Sequence, residues 1–170
     1  MLVRPERRED YAAIAAVIRD AFGKVDEALL VERLRNEADY DQDLALVAVE
    51  GNEVFGHVFF STVHVEQGDE RTTALALAPL AVRPDIQRRG VGSALVRRGL
   101  DGCVQQGHGV VIVLGEPTFY ARFGFGPASR VGIQPPFAVP AAAFQVLEVR
   151  PGALGKVRGT VRYSKAFEAL

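Results

Sequence analysis

The 170-residue sequence has one cysteine, no tryptophan and no long apolar run. The single cysteine, Cys103, excludes an internal disulfide and is compatible with a reducing compartment. The N-terminus, Met1 to Asp10, is charged and lacks the apolar core of a signal peptide. No stretch approaches the roughly 20 apolar residues that a membrane helix needs. We therefore expect a cytoplasmic protein that has no membrane partner.

Charge of one sign is also scarce, since 20 basic residues face 21 acidic ones. A net charge of −1 gives no global field that would select nucleic acid. One segment departs from this balance: five arginines lie between positions 83 and 98, where Asp85 is the only acid. The excess predicts a local anion site. The single cysteine and the scattered histidines have no metal-ligand spacing, so no metal is expected.

Periodic apolar segments fill most of the chain, with no repeat or linker that would divide it. Apolar residues three and four apart indicate helices, and short alternating or wholly apolar runs indicate strands. The predicted helices are 11–22, 26–36, 90–106 and 117–123. The predicted strands are 2–4, 44–50, 53–65, 72–82, 110–114, 144–149 and 160–164. This order predicts a single α/β domain over residues 1–170, with a mixed, mostly antiparallel twisted sheet and a parallel strand–helix–strand unit in the middle.

Two residues refine this outline. Pro79 interrupts the strand 72–82, and proline is expelled from regular central ladders because it lacks an N–H. We therefore expect strand pairing to stop near residues 78 to 80. Asp10 is expected to cap the first helix through its side chain.

The segment from Leu80 to Leu95 carries the strongest chemical signal. A strand ends there, a turn follows, and Gly90 and Gly92 open a helix. The first N–H groups of a helix are unsatisfied and carry a partial positive charge, and glycines let a phosphate approach them closely. Arg88 and Arg89 add positive charge. A bare G-x-G is weak evidence by itself, and Leu95 excludes the dinucleotide fingerprint G-x-G-x-x-G.

Two motifs in order give this segment a context. Gln87-x-x-Gly90-x-Gly92 resembles motif A of the GNAT acetyltransferases. Downstream, Phe119-Tyr-Ala-Arg-Phe-Gly-Phe125 resembles the F-Y-x-x-x-G-F signature of the same family. Residues 113–117 and 158–163 are similar to the YhbS-type predicted acetyltransferases. The predicted element order agrees with that fold along essentially the whole chain.

The resemblance implies an acetyl-CoA-dependent N-acetyltransferase whose acceptor is an amine on a small molecule or a peptide. It implies that the turn holds the pyrophosphate, that the pantetheine arm lies where two central strands splay apart, and that a backbone N–H near Leu80 holds the acetyl carbonyl. The implied cofactor-binding residues are Leu80, Ala81, Val82, Gln87, Arg88, Arg89, Gly90, Val91, Gly92 and Ser93. The acceptor's identity is not encoded in any recognisable motif. Dimers are common in such folds, but no sequence feature here establishes one.

Tyr120 is the catalytic residue that the resemblance implies, as the acid that assists the departing CoA thiolate. A phenol with a pKa of about 10 protonates a thiolate with a pKa of about 8.5 at a cost of roughly 2 kcal/mol. Its contribution would therefore be a hydrogen bond as much as a full proton transfer. The alternative interpretation of Tyr120 is a packed ring whose hydroxyl is bound elsewhere.

The general base is not evident. Family members often carry a glutamate on the strand before motif A, but residues 72–82 contain no Asp, Glu or His. The substitutes left open are an ordered-water path, Glu116, His57, His64 and Glu50. His57 and His64 lie in an apolar strand, where a structural histidine is more typical. This gap motivates a second hypothesis, an acyl-CoA-binding sensor or regulatory module without catalysis, and a third hypothesis is an enzyme for another acyl-CoA.

Overall fold

The computed structural model describes residues 1–155 and 157–170. Its helices are α1 (Tyr11–Phe22), α2 (Asp26–Arg35), α3 (Val91–Gln105) and α4 (Pro117–Ala121). Its strands are β1 (Leu2–Pro5), β2 (Ala45–Glu50), β3 (Glu53–Gln67), β4 (Glu70–Val82), β5 (Val110–Leu114), β6 (Gly126–Pro127), β7 (Ile133–Gln134), β8 (Phe144–Glu148) and β9 (Gly159–Arg162). The mixed, mostly antiparallel sheet with four helices is confirmed. The seven longer strands are the predicted ones, and β6 and β7 add two residues each.

The chain forms two compact units. The first comprises residues 1–61, 78–102 and 165–170, and the second comprises residues 62–77 and 103–164. Strands β3 and β4 each contribute residues to both units. A single domain over residues 1–170 stays a prediction.

In the first unit, β1 and β2 pair antiparallel, and β2 pairs antiparallel with β3. Helices α1 and α2 bury their apolar stripes in one core with these strands. Helix α1 ends at Gly23, whose φ of +72° closes it, as expected. The expectation that Asp10 caps α1 is wrong. Its carboxylate instead accepts hydrogen bonds from the Arg4 guanidinium, at 2.8 and 3.0 Å, and from the Arg7 N–H at 2.8 Å.

In the second unit, β5 runs parallel to β4 and antiparallel to β8. The parallel pairing joins Leu75 to Val111 and Ala76 to Ile112, and it ends before Pro79. The expected loss of pairing near residues 78 to 80 therefore applies to the β5 side of β4 and not to the β3 side, where the Arg83 N–H still donates to the Phe55 carbonyl at 2.8 Å. Strand β9 pairs with the distal part of β3. Cys103 is buried, as expected for a small core residue.

Candidate active site

Two glycines let helix α3 pack closely on β3 in the first unit. A Cβ added at Gly56 would lie 2.9 Å from the carbonyl oxygen of Ala81 and 3.1 Å from the side chain of Val91. A Cβ added at Gly99, about two helical turns after Val91, would collide with the ring of Phe60. The start of α3 is therefore held beside the end of β4 by contacts that admit no side chain.

The turn before α3 has an unusual backbone. Arg88 has a φ of +65° and Gly90 a φ of +85°, a region that residues other than glycine adopt only at a cost. Residues 87–90 are exposed, and a Cβ added at Gly90 would meet nothing within 4 Å. The Ala94 N–H donates to the Gly90 carbonyl at 3.0 Å. The first N–H groups of a helix, those that precede Ala94, have no intrahelical acceptor, so they remain unused donors beside this exposed turn.

Arg83 and Gln87 brace this turn. The Arg83 guanidinium donates to both carboxylate oxygens of Asp85, at 2.7 and 3.1 Å, and lies 4.9 Å from the centre of the Phe55 ring. The Gln87 amide donates to the Val82 carbonyl at 3.2 Å. Arg83 thus has a structural partner for its charge.

Arg88 and Arg89 differ from Arg83. In the described part of the chain, neither lies within ion-pair distance of an acid. Both are exposed, so the positive charge that the sequence predicted around the turn remains available to a ligand.

Tyr120 lies in the second unit, within an aromatic cluster. Its ring centre is 4.9 Å from that of Phe119 and 5.7 Å from that of Phe125. A Cβ added at Gly115 would come within 2.5 Å of the Tyr120 ring, so Gly115 leaves the space that the ring occupies. The Gln145 amide donates to the Gly115 carbonyl at 3.3 Å and holds that segment in place.

The surroundings of Tyr120 keep its phenol protonated. The residue is buried, and burial raises the pKa of the phenol to about 12. Among the described residues, its hydroxyl has no hydrogen-bond partner. The ring is therefore packed, as the alternative interpretation of Tyr120 has it, but in the described part of the chain its hydroxyl is not bound elsewhere. The catalytic role of Tyr120 stays a prediction.

Three of the candidate bases have other partners or surroundings. The Glu116 carboxylate caps α4, accepting from the Thr118 N–H at 3.3 Å and from its hydroxyl at 2.9 Å. The Glu50 side chain is 63% exposed and lies 3.4 Å from the N-terminal amine. His64 stands opposite Arg162 in the pairing of β3 with β9.

A buried cluster around Glu6 escaped the sequence analysis. The Glu6 carboxylate accepts two bonds of 2.9 Å from Arg35, one of 2.6 Å from the Tyr40 hydroxyl and one of 2.8 Å from His57 Nε2. Burial opposes ionisation, but the hydrogen bonds from Arg35, His57 and Tyr40 outweigh it and lower the Glu6 pKa to about 2. The carboxylate is therefore charged at neutral pH and fully paired.

Within residues 1–155 and 157–170, no group of His, Cys, Asp or Glu side chains could hold a metal ion. No helix in the same ranges is long and apolar enough to span a membrane. The candidate cofactor residues, Leu80 to Ser93, all lie in the first unit, and Tyr120 lies in the second.

This chain is similar to known proteins that are named as acetyltransferases. The model of the Acetyltransferase (GNAT) domain family matches residues 2–128. The uncharacterized N-acetyltransferase YhbS of Escherichia coli K12 is 35% identical over 167 residues, which cover 98% of each chain. The crystal structure of E. coli YhbS in complex with CoA matches with a TM-score of 0.90 at 35% identity, covering 98% of this chain and 91% of that one. A GNAT family acetyltransferase from Brucella melitensis in complex with acetyl-CoA matches with a TM-score of 0.76 at 31% identity, covering 98% and 97%.

Proposed function

The chain belongs to the GNAT acetyltransferase family, and we propose that it transfers the acetyl group of acetyl-CoA to a primary amine. The observation that carries the cofactor assignment is the exposed turn before α3, with a positive φ at Arg88 and at Gly90. Acetyl-CoA supplies an activated thioester and a pyrophosphate by which it can be held. The YhbS and Brucella relatives with bound CoA and acetyl-CoA support the same assignment.

The turn fits a pyrophosphate in geometry and in charge. Its row of N–H groups, from about Arg88 to Ser93, would bind the phosphate oxygens, as helix N-termini do. The open space around Gly90 admits the ligand to the backbone. The exposed guanidinium groups of Arg88 and Arg89 would add charge, while Gln87 fixes the turn to Val82.

The end of β4 would hold the acetyl and pantetheine groups. Residues Leu80, Ala81 and Val82 follow the last residue that β4 pairs with β5. Their main chain is therefore not used by that ladder and can pair with an amide-containing arm. A backbone N–H at Leu80 or a neighbour would stabilise the negative charge that develops on the acetyl oxygen.

We infer that Tyr120 acts by donating a hydrogen bond to the departing thiolate. Burial raises the pKa of the Tyr120 phenol to about 12, whereas a free thiol has a pKa of about 8.5. Full transfer of the phenol proton to the thiolate would therefore be uphill by roughly 5 kcal/mol. The same pKa ensures that the hydroxyl carries its proton at any physiological pH. A protonated donor whose hydroxyl has no hydrogen-bond partner among the described residues is suited to this role.

A sensor that binds acyl-CoA without catalysis is the second candidate function, since residues 72–82 offer no acid or histidine as a base. The two functions are separated by trapping released CoA with a thiol reagent while the protein is incubated with acetyl-CoA and a panel of primary amines. The panel should contain alkyl amines, amino-acid amides and peptides with a free N-terminus or lysine. An acetyltransferase releases CoA in an amine-dependent reaction and yields an acetylated product by mass spectrometry. Saturable acetyl-CoA binding without release from any amine would favour the sensor.

A further inference from the structure

The Glu6–His57 pair leaves one histidine nitrogen open. His57 Nε2 lies 2.8 Å from the Glu6 carboxylate, which is ionised and can only accept a hydrogen bond. Nε2 therefore carries the hydrogen, and Nδ1 carries the lone pair. His57 is completely buried, and its Nδ1 has no hydrogen-bond partner within the described residues. A neutral imidazole that a carboxylate orients through one nitrogen, with the other nitrogen open, is the arrangement of a general base.

His57 also lies beside the strand segment assigned to the acetyl group. The Arg83 N–H donates to the Phe55 carbonyl at 2.8 Å between the neighbouring strands β3 and β4. His57 directly follows Gly56, where an added Cβ would lie 2.9 Å from the Ala81 carbonyl oxygen, so the backbone of His57 lies close to Ala81. On its other side it stands opposite Val47 of β2. Ala81 directly follows Leu80, so His57 lies in the same part of the first unit as the proposed acetyl site.

The environment of His57 keeps it unprotonated. Burial lowers the pKa of the imidazole, and Arg35 acts in the same direction, while Glu6 and Asp10 oppose them. The ring is therefore neutral in the resting protein, with its lone pair on Nδ1. When Nδ1 takes up a proton, the Glu6 carboxylate, which touches Nε2, stabilises the imidazolium.

His64 shows that an open buried nitrogen is not sufficient. Its Nδ1 is also buried without a partner in the described chain. However, His64 has no carboxylate on its other ring nitrogen among those residues, and it lies in the second unit opposite Arg162. The carboxylate and the position beside Ala81 distinguish His57.

We propose that His57 Nδ1 is the general base that deprotonates the incoming amine through one bound water, with Glu6 as its positioning residue. This inference rests on the proposed acetyl transfer. One N–H bond of the substrate ammonium breaks, and its proton passes through the water to Nδ1. The amine lone pair then forms the C–N bond to the thioester carbon, and the C–S bond breaks with its electron pair leaving on sulfur. The second proton of the nitrogen goes to the thiolate, and the imidazolium returns its proton to solvent.

The variant His57→Gln tests the role with little disturbance, because a glutamine amide can still donate to Glu6 but has no basic nitrogen. CoA release is measured at about pH 7.5 with two kinds of nucleophile. Tyramine, spermidine and glycinamide represent amines that are protonated to a large extent, and hydroxylamine represents a nucleophile that is already mostly neutral. We expect the rate with the alkyl amines to fall about 10²-fold, as for the loss of a general base. The hydroxylamine rate, corrected for the reaction without enzyme, should change by less than about threefold.

The outcomes separate a base from a structural histidine. Equal losses with both kinds of nucleophile, or no loss with the alkyl amines, would overturn the role of His57. The control His64→Gln should change neither rate, and a selective loss there would assign the base to His64 instead. A wild-type protein that uses hydroxylamine alone would contradict this inference, whereas one that releases CoA with no probe would contradict the acetyltransferase proposal itself.

A measurement on the wild-type protein covers the case in which His57→Gln fails to fold. Nitrogen-15 NMR of labelled histidine reports which ring nitrogen is protonated. We expect one of the three histidines to be neutral at pH 7, with the proton on Nε2, and to sense added acetyl-CoA. A proton on Nδ1 of His57 would overturn the proposal.

Discussion

The two units differ in the polar groups that they bury. In the first unit, the buried polar or charged residues are Glu6, Asp10, Glu27, His57 and Ser61. In the described part of the second unit, the only one is the neutral amide Gln145. The first unit stabilises its buried charges by pairing them, and the second surrounds Tyr120 and Tyr163 with apolar groups that raise both pKa values to about 12. The first unit therefore keeps a charged carboxylate in its interior, whereas the buried phenols of the second unit are neutral and retain their protons.

The largest effect on stability is expected when the buried Glu6 carboxylate of the first unit is removed. Glu6→Ala leaves Arg35 and its partners buried without their carboxylate, which typically costs about 3–5 kcal/mol in the free energy of unfolding. Urea denaturation measures this loss. The control Asp20→Ala removes an exposed pair, since Arg19 and Asp20 are 55% and 58% exposed, and should cost less than about 1 kcal/mol. Similar costs for the two variants would show that the buried cluster has no special role in stability.

The same cluster predicts a dependence on pH. The pKa of Glu6 is lowered from 4.5 to about 2, so the folded state favours the ionised carboxylate. Its contribution to stability is present in full above the unfolded value and is lost as the pH falls through about 2. Denaturation curves at a series of pH values should show a smaller acid-induced loss in Glu6→Gln than in the wild type. Identical pH dependence in the two proteins would contradict this assignment.

The next effect concerns the turn before α3, where we propose that the pyrophosphate binds. Gly92→Glu places a negative charge where a phosphate is proposed, and like charges in contact cost several kcal/mol. We expect acetyl-CoA affinity to fall by about 100-fold or more, measured by calorimetry on a sample shown to be folded. Gln105→Glu adds the same charge at an exposed position near the other end of α3 and should leave the affinity unchanged. Normal affinity in Gly92→Glu would remove the turn from the cofactor site.

Two tyrosine variants in the second unit test whether the position of the Tyr120 hydroxyl matters for turnover. Tyr120→Phe should lower kcat about 10²-fold, with little change in acetyl-CoA affinity, because it removes only the hydrogen-bond donor. Tyr163 has a phenol whose pKa is raised as far by burial, so Tyr163→Phe is a matched control that should retain turnover. If the two variants lose activity equally, burial of a phenol and not its position accounts for the effect.

The smallest effect is expected at Gly115. An alanine there would press on the Tyr120 ring, and such overpacking typically costs about 1–3 kcal/mol of stability. We expect a moderate loss of kcat, smaller than that of Tyr120→Phe, because the hydroxyl is displaced but not removed. Gly126→Ala meets nothing within 4 Å and is the control for thermal unfolding and turnover. Unchanged kcat in Gly115→Ala would mean that the position of the ring does not matter.

Local sequence patterns predicted the regular elements well. Apolar spacing set the limits of α1 and α2 to within a residue, and Pro79 indicated that β4 stops pairing with β5 before that position. The motif around Gln87 and Gly90 pointed to the exposed turn, because the residues that shape it are adjacent in sequence.

Other features depend on residues far apart in sequence. Glu6 meets Arg35 and His57 across 29 and 51 positions, and no local pattern reports such a meeting. In the sequence it lies in a charged segment that resembles an exposed one. Strands β6 and β7 are two residues long and exist only through pairing with β8 and β9, so a proline-rich segment gave no sign of them.

Titration of the purified protein with acetyl-CoA and with CoA, by calorimetry after removal of any co-purified ligand, tests the central claim most directly. We expect saturable binding of both compounds at one site per chain, in the micromolar range. Absence of binding by either compound, in a sample shown to be folded, would contradict the cofactor site at the start of α3 and the acetyltransferase function built on it.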